Sequence, residues 1–502
     1  MIDNIVVVGG GTSGWLSVCN LLFRIHESKN INITVIESPD VPIIGVGEST
    51  TGKMHDIINH YDHLKCEKEF LKETGATFKY GIKHIDWYKN NDSFLSPIGS
   101  DFENDTTYPS KDYDYFRIYH VAENKKYEVP IQNQMMLQNK LYPIGEHNYD
   151  VTYHIDAYKT GEFLRKKCLA TGRVKRIEAT IENVNLNDLG GVKSLDLSNG
   201  EKINGDFFVD CTGWAKVLID KVGAKFKSYR DNLLVNKAIV FPRPTKENEV
   251  IKNHTVATAR KYGWTFDLPL QNKVGRGYVF NGDMISVDDA IKEMNDCYNE
   301  EIDVKKVIDF KSGRLDKMWI KNVLATGLSA SFLEPLEATA IHTTISQFTH
   351  FMENYFTEDL NLYDKSLQKQ YNDYMTGYVD DIRDFITFHY ITPRKDTEFW
   401  IESSDPKRWS DELKKKMYIW QNKMPRQIDY PHKGVWYGIG NSLWLQVGMG
   451  MNLFDSGIAK KELNYYGLYD KAKTDYDLIK ERATAVVSNL QTTNEVYNSL
   501  WK

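Results

Sequence analysis

A glycine-rich stretch near the amino terminus constrains the fold of this chain more than any other feature of its sequence. Residues 6–15 read VVVGGGTSGW, so an apolar β-branched run leads directly into three glycines and, after a short polar pair, a fourth. This order predicts a buried strand, a tight turn and a helix. The spacing Gly9-x-Gly11-x-x-Gly14 matches a dinucleotide-binding turn, in which a pyrophosphate lies at the amino terminus of the helix.

The segment after that helix predicts a second strand that ends in an acidic residue. Residues 31–37 read INITVIE and close on Glu37. An acid at this position accepts hydrogen bonds from ribose hydroxyls and disfavours the 2′-phosphate of NADP. The glycines and Glu37 together therefore leave FAD and NAD open, and a glycine-rich turn without a ligand is the alternative.

Two later stretches favour FAD. Residues 205–214 read GDFFVDCTGW and follow a predicted β-meander at 173–200, and residues 322–344 predict another strand, a small-residue turn and a helix start. Three such strands, widely spaced along the chain, suit an extended cofactor with contacts at its adenosine, pyrophosphate and isoalloxazine. A plain NAD domain would be complete within about 150 residues.

Composition and charge exclude several classes of protein. The 502-residue chain has a formal net charge of -6, which argues against a nucleic-acid binder. It has no apolar run of 18 residues and no signal-peptide layout, so we expect no membrane span and a cytoplasmic location. Its five cysteines are far apart and form no CxxC pair. This spacing predicts reduced thiols and no metal site.

Several motifs, in order, resemble those of the flavin-dependent halogenases of the tryptophan-halogenase family. The matching segments are GGGTSGW (9–15), IIGVGEST (43–50), ATFKYGIKHIDW (76–87), FFVDCTGW (207–214), GWTFDLPL (263–270), SFLEPLEATAI (331–341) and DDIRDFITFHYITPRKDTEFW (380–400). The glycine motif alone is widespread. The second, third and sixth segments together are specific to the family, and we call 43–50 the strap.

The resemblance implies an α/β fold, the composite FAD-binding fold of flavin monooxygenases with interleaved sheets, and a C-terminal helical substrate module. We expect the FAD-binding module to span 1–344, with inserted substrate-side segments at about 88–150 and 225–300. Residues 345–502 would form the helical module. The resemblance also implies FADH2 delivered by diffusion from a separate flavin reductase, a halide ion and a small aromatic substrate.

The same resemblance assigns roles to individual residues. Reduced flavin, O2 and halide would give a hypohalous acid, which Lys79 would bind or carry, with Glu337 as its partner. The halide would lie on the backbone amides of Thr339 and Ala340. Together with the glycine pattern, the resemblance assigns FAD contacts to Gly9, Gly11, Thr12, Ser13, Gly14, Glu37, Ser38, Gly47, Glu48, Ile181, Leu328 and Ile341.

Trp264 and Phe266 would form a barrier that keeps the substrate off the flavin. Here the sequence departs from the family, because Phe266 stands where the signature has a tryptophan and Leu268-Pro269 replaces Ile-Pro. Ala340 replaces a glycine of the halide segment. An alanine keeps the N–H but adds a methyl and restricts φ, which bears on the shape of the halide pocket and on halide preference.

The charged residues of these motifs also have alternative interpretations, either a rival residue or a structural role. Lys83 is the rival of Lys79, Glu334 suits a helix start, and His389 and Arg394 are expected to be structural.

A hydroxylating flavin monooxygenase is the alternative enzyme, and a non-catalytic binder with a flavoprotein fold is the alternative from another class. Neither of these alternatives accounts for the strap, the lysine and the 331–341 segment together.

The sequence also indicates a substrate class. Residues 434–454 contain Trp436, Tyr437 and Trp444 but no acid or base, so a zwitterion bound there would lose hydration without charged partners. We therefore expect an electron-rich arene other than free tryptophan. The alternative is that another loop, such as the polar segment 88–115, supplies the charges. We also expect bromide or iodide to be used at least as well as chloride.

Overall fold

Strands and helices alternate in the first half of the chain, and helices dominate its C-terminal region. The computed structural model describes residues 1–40, 47–98, 113–146, 150–430 and 440–501. Its helices are α1 Thr12–Arg24, α2 Gly52–His60, α3 Glu67–Thr74, α4 Tyr115–Ala122, α5 Ile131–Gln138, α6 Ala157–Ala170, α7 Val287–Tyr298, α8 Thr339–Asn354, α9 Lys365–His389, α10 Glu398–Ser403, α11 Asp411–Ile419, α12 Asn441–Gly450, α13 Ser456–Tyr465, α14 Tyr469–Ser488 and α15 Thr493–Ser499.

The strands are mostly short. They are β1 Asn4–Val8, β2 Asn32–Glu37, β3 Glu48–Ser49, β4 Thr77–Lys79, β5 Gly81–Ile85, β6 Ser93–Pro97, β7 Lys140–Leu141, β8 Thr152–Ile155, β9 Val174–Glu178, β10 Ile181–Leu186, β11 Val192–Leu197, β12 Lys202–Asn204, β13 Phe207–Asp210, β14 Phe226–Ser228, β15 Lys237–Val240, β16 Arg243–Pro244, β17 Thr255–Arg260, β18 Gly263–Pro269, β19 Lys273–Phe280, β20 Lys306–Asp309, β21 Gly313–Leu315, β22 Trp319–Ile320, β23 Val323–Ala325, β24 Ser331–Phe332 and β25 Gln491–Thr492. Among the described residues, no helix is both long enough and apolar enough to cross a membrane.

The chain forms two compact units, each assembled from three segments. Unit 1 comprises Met1–Gly75, Ile155–Tyr229 and Lys311–Asp380, and unit 2 comprises Ala76–His154, Arg230–Phe310 and Asp381–Lys502. Residues 345–380, which the sequence places in the helical module, fall in unit 1. The division into a cofactor module and a substrate module at residue 344 stays a prediction.

A mostly parallel sheet organises unit 1, with strand order β22-β23-β13-β1-β2-β9. Strand β1 lies inside this sheet because Ile5–Val8 are apolar and buried on both faces, as is typical of a parallel strand covered by helices. The predicted meander begins later than expected. Strand β9 joins the parallel sheet beside β2, and β10, β11 and β12 form the meander.

The parallel strands of unit 1 bring several loops to one sheet edge, because their carboxyl ends point the same way. The amide of Gly9 donates to the Ile36 carbonyl at 2.8 Å, and the amide of Cys211 donates to the Val8 carbonyl at 2.8 Å. The Ser329 hydroxyl, in the turn after β23, donates to Asp210 Oδ1 at 3.1 Å. The glycine turn and the ends of β2, β13 and β23 therefore lie together at this edge.

Unit 2 is built on a sheet with strand order β20-β15-β19-β18-β17-β5-β6. Its pairs are antiparallel except for β5 and β17. Strand β18 is inside the sheet and is buried on both faces along most of its length. Separately, β4 pairs with β8, which places Thr77 opposite His154 and Lys79 opposite Thr152.

Candidate active site

Two glycines of the amino-terminal turn are required by close backbone packing. Gly9 has a φ of +110°, and a Cβ there would lie 2.3 Å from the Cys211 carbonyl oxygen. A Cβ on Gly14 would lie 1.9 Å from the Gly9 carbonyl oxygen. Both contacts are far shorter than real side chains adopt, so β1, α1 and β13 approach this closely only because these two positions are glycine.

Gly11 is a glycine for a different reason. Apart from its neighbours in the chain, no atom of the described residues lies within 4 Å of where its Cβ would be. Gly11 is the cap residue of α1, has no side chain to offer the helix amides, and precedes a first turn without an acid. An open space beside uncapped amides is the arrangement that accepts a phosphate. This turn, which includes Thr12 and Ser13, therefore fits the pyrophosphate of a dinucleotide.

The Glu37 carboxylate is held at the end of β2 by a residue that the sequence analysis did not identify. Arg176 Nε donates to Glu37 Oε1 at 2.6 Å, while Oε2 lies against Gly10, where an added Cβ would meet it at 1.8 Å. Nearby, the hydroxyl oxygens of Ser38 and Thr180 are 2.7 Å apart. Since Ile181 follows Thr180, three of the residues predicted to contact FAD lie in one place.

The strap is described from Gly47 onward, and its residues 43–46 lie outside the described residues. Burial raises the pKa of Glu48 to about 7, because the surrounding protein disfavours the charged form. Thr51, just after the strap, has its hydroxyl oxygen 2.8 Å from Nδ1 of His342 in the first turns of α8. This hydrogen bond joins the strap to the helix that carries Thr339 and Ala340.

The backbone before α8 is unusual. Glu337 and Ala338 have φ angles of 61° and 56°, both in the left-handed region although neither residue is glycine. Such conformations cost on the order of 1–3 kcal/mol each and are concentrated at functional sites. The strain therefore lies at the predicted catalytic glutamate and at the residue after it.

Thr339 and Ala340 are the first two residues of α8. Amides at this place have no partner within the helix, and Ala338 at the cap position has no side-chain acceptor. Together with the positive end of the helix dipole, they suit an anion such as a halide. Ala340 has helical φ, since the left-handed residues are the two before Thr339. Alanine adopts this conformation without strain, and the effect of its methyl on the shape of the halide pocket stays a prediction.

The remaining predicted flavin contacts also lie in unit 1. Leu328 belongs to the short 3-10 turn Gly327–Ser329 and is partly exposed, whereas Ile341 in α8 is 5% exposed. A Cβ on Gly327 would meet the Ser13 hydroxyl at 2.4 Å, so this turn lies against the first turn of α1.

Lys79 ends β4 and is 2% exposed. Lysine side chains are rarely buried this deeply unless they are paired or functional. Thr77 lies on the same face of β4, two residues before Lys79. The Thr77 hydroxyl donates to the Pro269 carbonyl, and its oxygen also contacts His154 Nδ1 at 3.1 Å. His154 Nε2 in turn lies 3.0 Å from the Thr255 hydroxyl.

These hydrogen bonds fix the protonation of His154. A carbonyl can only accept, so the single Thr77 hydroxyl proton goes to Pro269, and Thr77 must accept from His154 Nδ1–H. Burial, and next the positive charge of Lys79, hold the pKa of His154 well below its usual range. The ring is therefore neutral, and Nε2 accepts the proton of Thr255. A neutral histidine therefore anchors the strand of Lys79 in place, a role that sequence alone did not reveal.

The predicted barrier residues lie on β18, the strand that ends in Pro269. Trp264 and Phe266 are 2% and 8% exposed, and their ring centroids are 6.1 Å apart. A Cβ on Gly277 would meet the Phe266 ring at 2.4 Å, so the neighbouring strand leaves room for the ring by carrying a glycine. Because Thr77 donates to Pro269, the barrier strand and the lysine strand are bonded to each other.

His389 and Arg394 have contacts that fit the structural role predicted for them. Nδ1 of His389 donates to the Phe385 carbonyl at 2.8 Å within α9. The Arg394 guanidinium stacks on the Trp400 ring at 4.5 Å and donates to the Asp86 carbonyl at 2.6 Å. These contacts fasten the 380–400 motif to its surroundings in unit 2.

Trp444 is a core residue and not an exposed substrate contact. It is fully buried, and its ring packs against Phe385, Phe388 and Trp420 with centroid distances of 5.1, 5.0 and 5.6 Å. Trp436 and Tyr437 lie outside the described residues. Much of the aromatic content of unit 2 therefore serves packing.

Comparison with known proteins agrees with the motifs. The tryptophan halogenase family model matches residues 4–460. Tryptophan 6-halogenase ThaL of Streptomyces albogriseolus is 28% identical over 87% of this chain and 85% of its own length. Tryptophan 7-halogenase RebH of Lentzea aerocolonigenes is 28% identical over 84% of this chain and 82% of its own length.

Solved structures share the fold. The tryptophan halogenase from Shewanella frigidimarina superposes with a TM-score of 0.89 at 24% identity, over 99% of this chain and 97% of that one. Xcc4156, a flavin-dependent halogenase from Xanthomonas campestris, gives a TM-score of 0.86 at 24% identity, over 100% and 98%. The composite α/β fold with a helical C-terminal region is thereby confirmed. The chain belongs to the tryptophan halogenase family and is a flavin-dependent halogenase.

Proposed function

We propose that this halogenase uses FADH2 from a separate reductase to halogenate an electron-rich arene, with Lys79 and Glu337 as its catalytic residues. The observation that carries the proposal is the burial of Lys79, at 2% exposure, on a strand anchored by Thr77 and His154. A lysine kept from water and fixed in direction has the properties needed to bind a reactive oxidant selectively.

Unit 1 supplies the cofactor and halide contacts in this proposal. The amides that follow Gly11 bind the pyrophosphate, Glu37, Ser38 and Ile181 contact the adenosine end, and Gly47, Glu48, Leu328 and Ile341 contact the flavin end. Thr339 and Ala340 bind the halide through their N–H groups. Bound reduced flavin and O2 supply the oxidising equivalents that turn halide into hypohalous acid.

Lys79 and Glu337 then act on the organic substrate. The Lys79 ammonium donates a hydrogen bond to the oxygen of the hypohalous acid, which makes the halogen more electrophilic. A ring carbon attacks the halogen, the halogen–oxygen bond breaks, and the oxygen leaves as water after taking a proton. The Glu337 carboxylate stabilises the cationic ring and accepts the proton that the ring carbon loses.

The proposed substrate is a neutral indole or phenol, although the named relatives are tryptophan halogenases. Support comes from the sequence of residues 434–454, which holds no acid or base that would pair with the ends of a free amino acid, although Trp444 within it serves packing. Trp264 and Phe266 would exclude this arene from the flavin. Bromide and iodide are easier to oxidise than chloride, so we expect them to react at least as well.

The test combines the protein with FAD, an unrelated flavin reductase, NADH and mixed halides. Indole, phenol and free tryptophan serve as substrates, and mass spectrometry identifies the products. We expect brominated or iodinated indoles and phenols, and no NADH oxidation when the reductase is left out. Chlorination of free tryptophan with the other arenes untouched would contradict the substrate class. Added oxygen in place of halogen would favour the monooxygenase alternative.

A further inference from the structure

Three side chains of unit 1 that have no part in the proposed chemistry lie close together. Cys19 belongs to α1, Cys168 to α6, and His63 to the segment between α2 and α3. The two sulfur atoms are 3.4 Å apart, and one ligand atom from each of the three residues lies within 4.8 Å of the others. Folding thus joins cysteines that are 149 positions apart, a proximity that their spacing in the sequence does not indicate.

The burial and hydrogen bonding of these three side chains suit a metal ion. Both cysteines are fully buried, whereas the His63 side chain is partly exposed. His63 Nε2 is buried and has no hydrogen-bond partner among the described residues. A buried nitrogen without a partner is rare and calls for a ligand.

The charge and the geometry of the three side chains favour zinc over other ions. Two thiolates and a neutral imidazole carry a charge of -2, so a divalent cation leaves no net charge in the buried site, whereas a monovalent one does. Sulfur and nitrogen ligands favour zinc over magnesium or calcium. Two Zn–S bonds of about 2.3 Å at a tetrahedral angle place the sulfurs about 3.8 Å apart. The observed 3.4 Å is nearer to that value than to a disulfide bond of about 2.05 Å.

We propose that Cys19, His63 and Cys168 bind one zinc ion, with a water molecule that enters on the side of His63 as the fourth ligand. The ion would tie α1 to α6 and to the segment that holds His63. Because α1 carries the glycine turn at its amino end, zinc would stabilise the framework of unit 1 and take no part in halogenation.

The experiment uses the untagged full-length protein, reduced and stripped of metal with a chelator. Co²⁺ is added first, because thiolate-bound Co²⁺ absorbs in the near ultraviolet, and Zn²⁺ is then used to displace it. We expect one equivalent of Co²⁺, the thiolate absorption, its loss on adding Zn²⁺, and a higher melting temperature with zinc. Cys168→Ser should weaken binding at least tenfold and reduce the absorption, since one thiolate is lost.

Two further variants test His63 as a ligand and control for the effect of replacing a nearby cysteine. His63→Gln alters a partly exposed residue, so it should fold, bind Co²⁺ at least tenfold more weakly and keep the thiolate absorption. Cys66→Ser is the matched control, because Cys66 lies close to His63 in the chain and its thiol donates instead to the Leu64 carbonyl. It should bind like the wild type. Absence of the thiolate absorption in the wild type, or equal binding by His63→Gln and the wild type, would overturn the proposal.

Discussion

Unit 1 and unit 2 hold their functional groups in different ways. In unit 1 the proposed ligands are bound by backbone amides at the starts of α1 and α8, and the conformation is set by glycines and by the left-handed Glu337 and Ala338. In unit 2 the proposed groups are side chains, a buried lysine and two aromatic rings, held by strands and by a neutral histidine. One unit works mainly through its main chain and the other through its side chains.

This difference predicts which departures from the family motifs matter most. Ala340 replaces a glycine, but a helical alanine presents the same N–H as a helical glycine, so we expect the halide contact to persist. Phe266 replaces a tryptophan of the barrier, which changes the size and shape of the surface itself. We therefore expect sequence changes in unit 2 to alter substrate choice more than changes at the helix starts of unit 1.

The largest expected effect follows from removing the lysine. Lys79→Ala should lower the halogenation rate about 10³-fold, or about 4 kcal/mol, because the ammonium that binds the oxidised halogen is lost. FAD affinity should stay the same. Product yield and flavin titration measure the two quantities, and Lys83→Ala on β5 is the matched control that should stay active. Halogenation by Lys79→Ala within about threefold of wild type would refute the assignment.

Low pH should destabilise unit 2, because this unit buries three neutral histidines. Burial lowers the pKa of His120 to about 4 and of His254 to about 3, and His154 is shifted in the same direction. Between these values and about 6.5 the unfolded chain binds more protons than the folded one, so the free energy of unfolding falls as the pH drops. Each histidine contributes up to about 1.4 kcal/mol per pH unit below about 6.5.

Buried carboxyls act in the opposite direction. Glu48 has a raised pKa of about 7, so its folded form binds a proton that the unfolded form releases, and acid favours folding there. Burial also raises the pKa of Asp220, Glu293 and Asp384. We expect the histidines to outweigh these carboxyls, since His350 of unit 1, whose pKa burial lowers to about 4, adds to the three of unit 2. Denaturant unfolding at pH 7.0, 6.0 and 5.5 checks the sum, and His120→Gln should reduce the slope while exposed His26→Gln should not. A free energy of unfolding that is constant over this range would show that the histidines are already protonated in the fold.

Glu337 combines a main-chain role with a side-chain role, so two substitutions separate them. Glu337→Gln should lower halogenation about 10- to 100-fold, with some activity left because positioning survives. Glu337→Gly should lose at least as much activity. Its free energy of unfolding should be higher than that of wild type by up to about 1 kcal/mol, since glycine adopts the left-handed conformation without strain. Denaturant unfolding and product yield measure the pair. A lower stability of Glu337→Gly than of wild type would argue against strain at this turn.

The smallest effect should come from the hydrogen bonds that support Lys79. Thr77→Val keeps the shape of the side chain but removes the bonds to Pro269 and His154, so kcat should fall about tenfold with KM for the arene unchanged. Thr77→Ser should restore kcat, because its hydroxyl can make both bonds. If Thr77→Val and Thr77→Ser behave alike, the hydrogen bonds have no part in positioning the lysine.

The sequence predicts the features that are local in the chain. The β1–turn–α1 unit, the acid at the end of β2 and the helical C-terminal region follow from patterns within a few residues of each other. What sequence analysis missed depends on contacts between distant segments, such as Thr77 with His154 or Cys19 with Cys168. The left-handed conformation of Glu337 could not be predicted either, because non-glycine residues adopt it only where the surrounding structure imposes it.

The contrast between main-chain and side-chain function is tested most directly by measuring FAD affinity and bromination together in Gly11→Ala and Lys79→Ala. We expect opposite behaviour from the two variants. Gly11→Ala should bind FAD at least tenfold more weakly, since its methyl fills the space left for the pyrophosphate, and should brominate normally once FAD is saturating. Lys79→Ala should bind FAD normally and fail to brominate at any FAD concentration. If both variants lose affinity and activity in parallel, the division between the two units is contradicted.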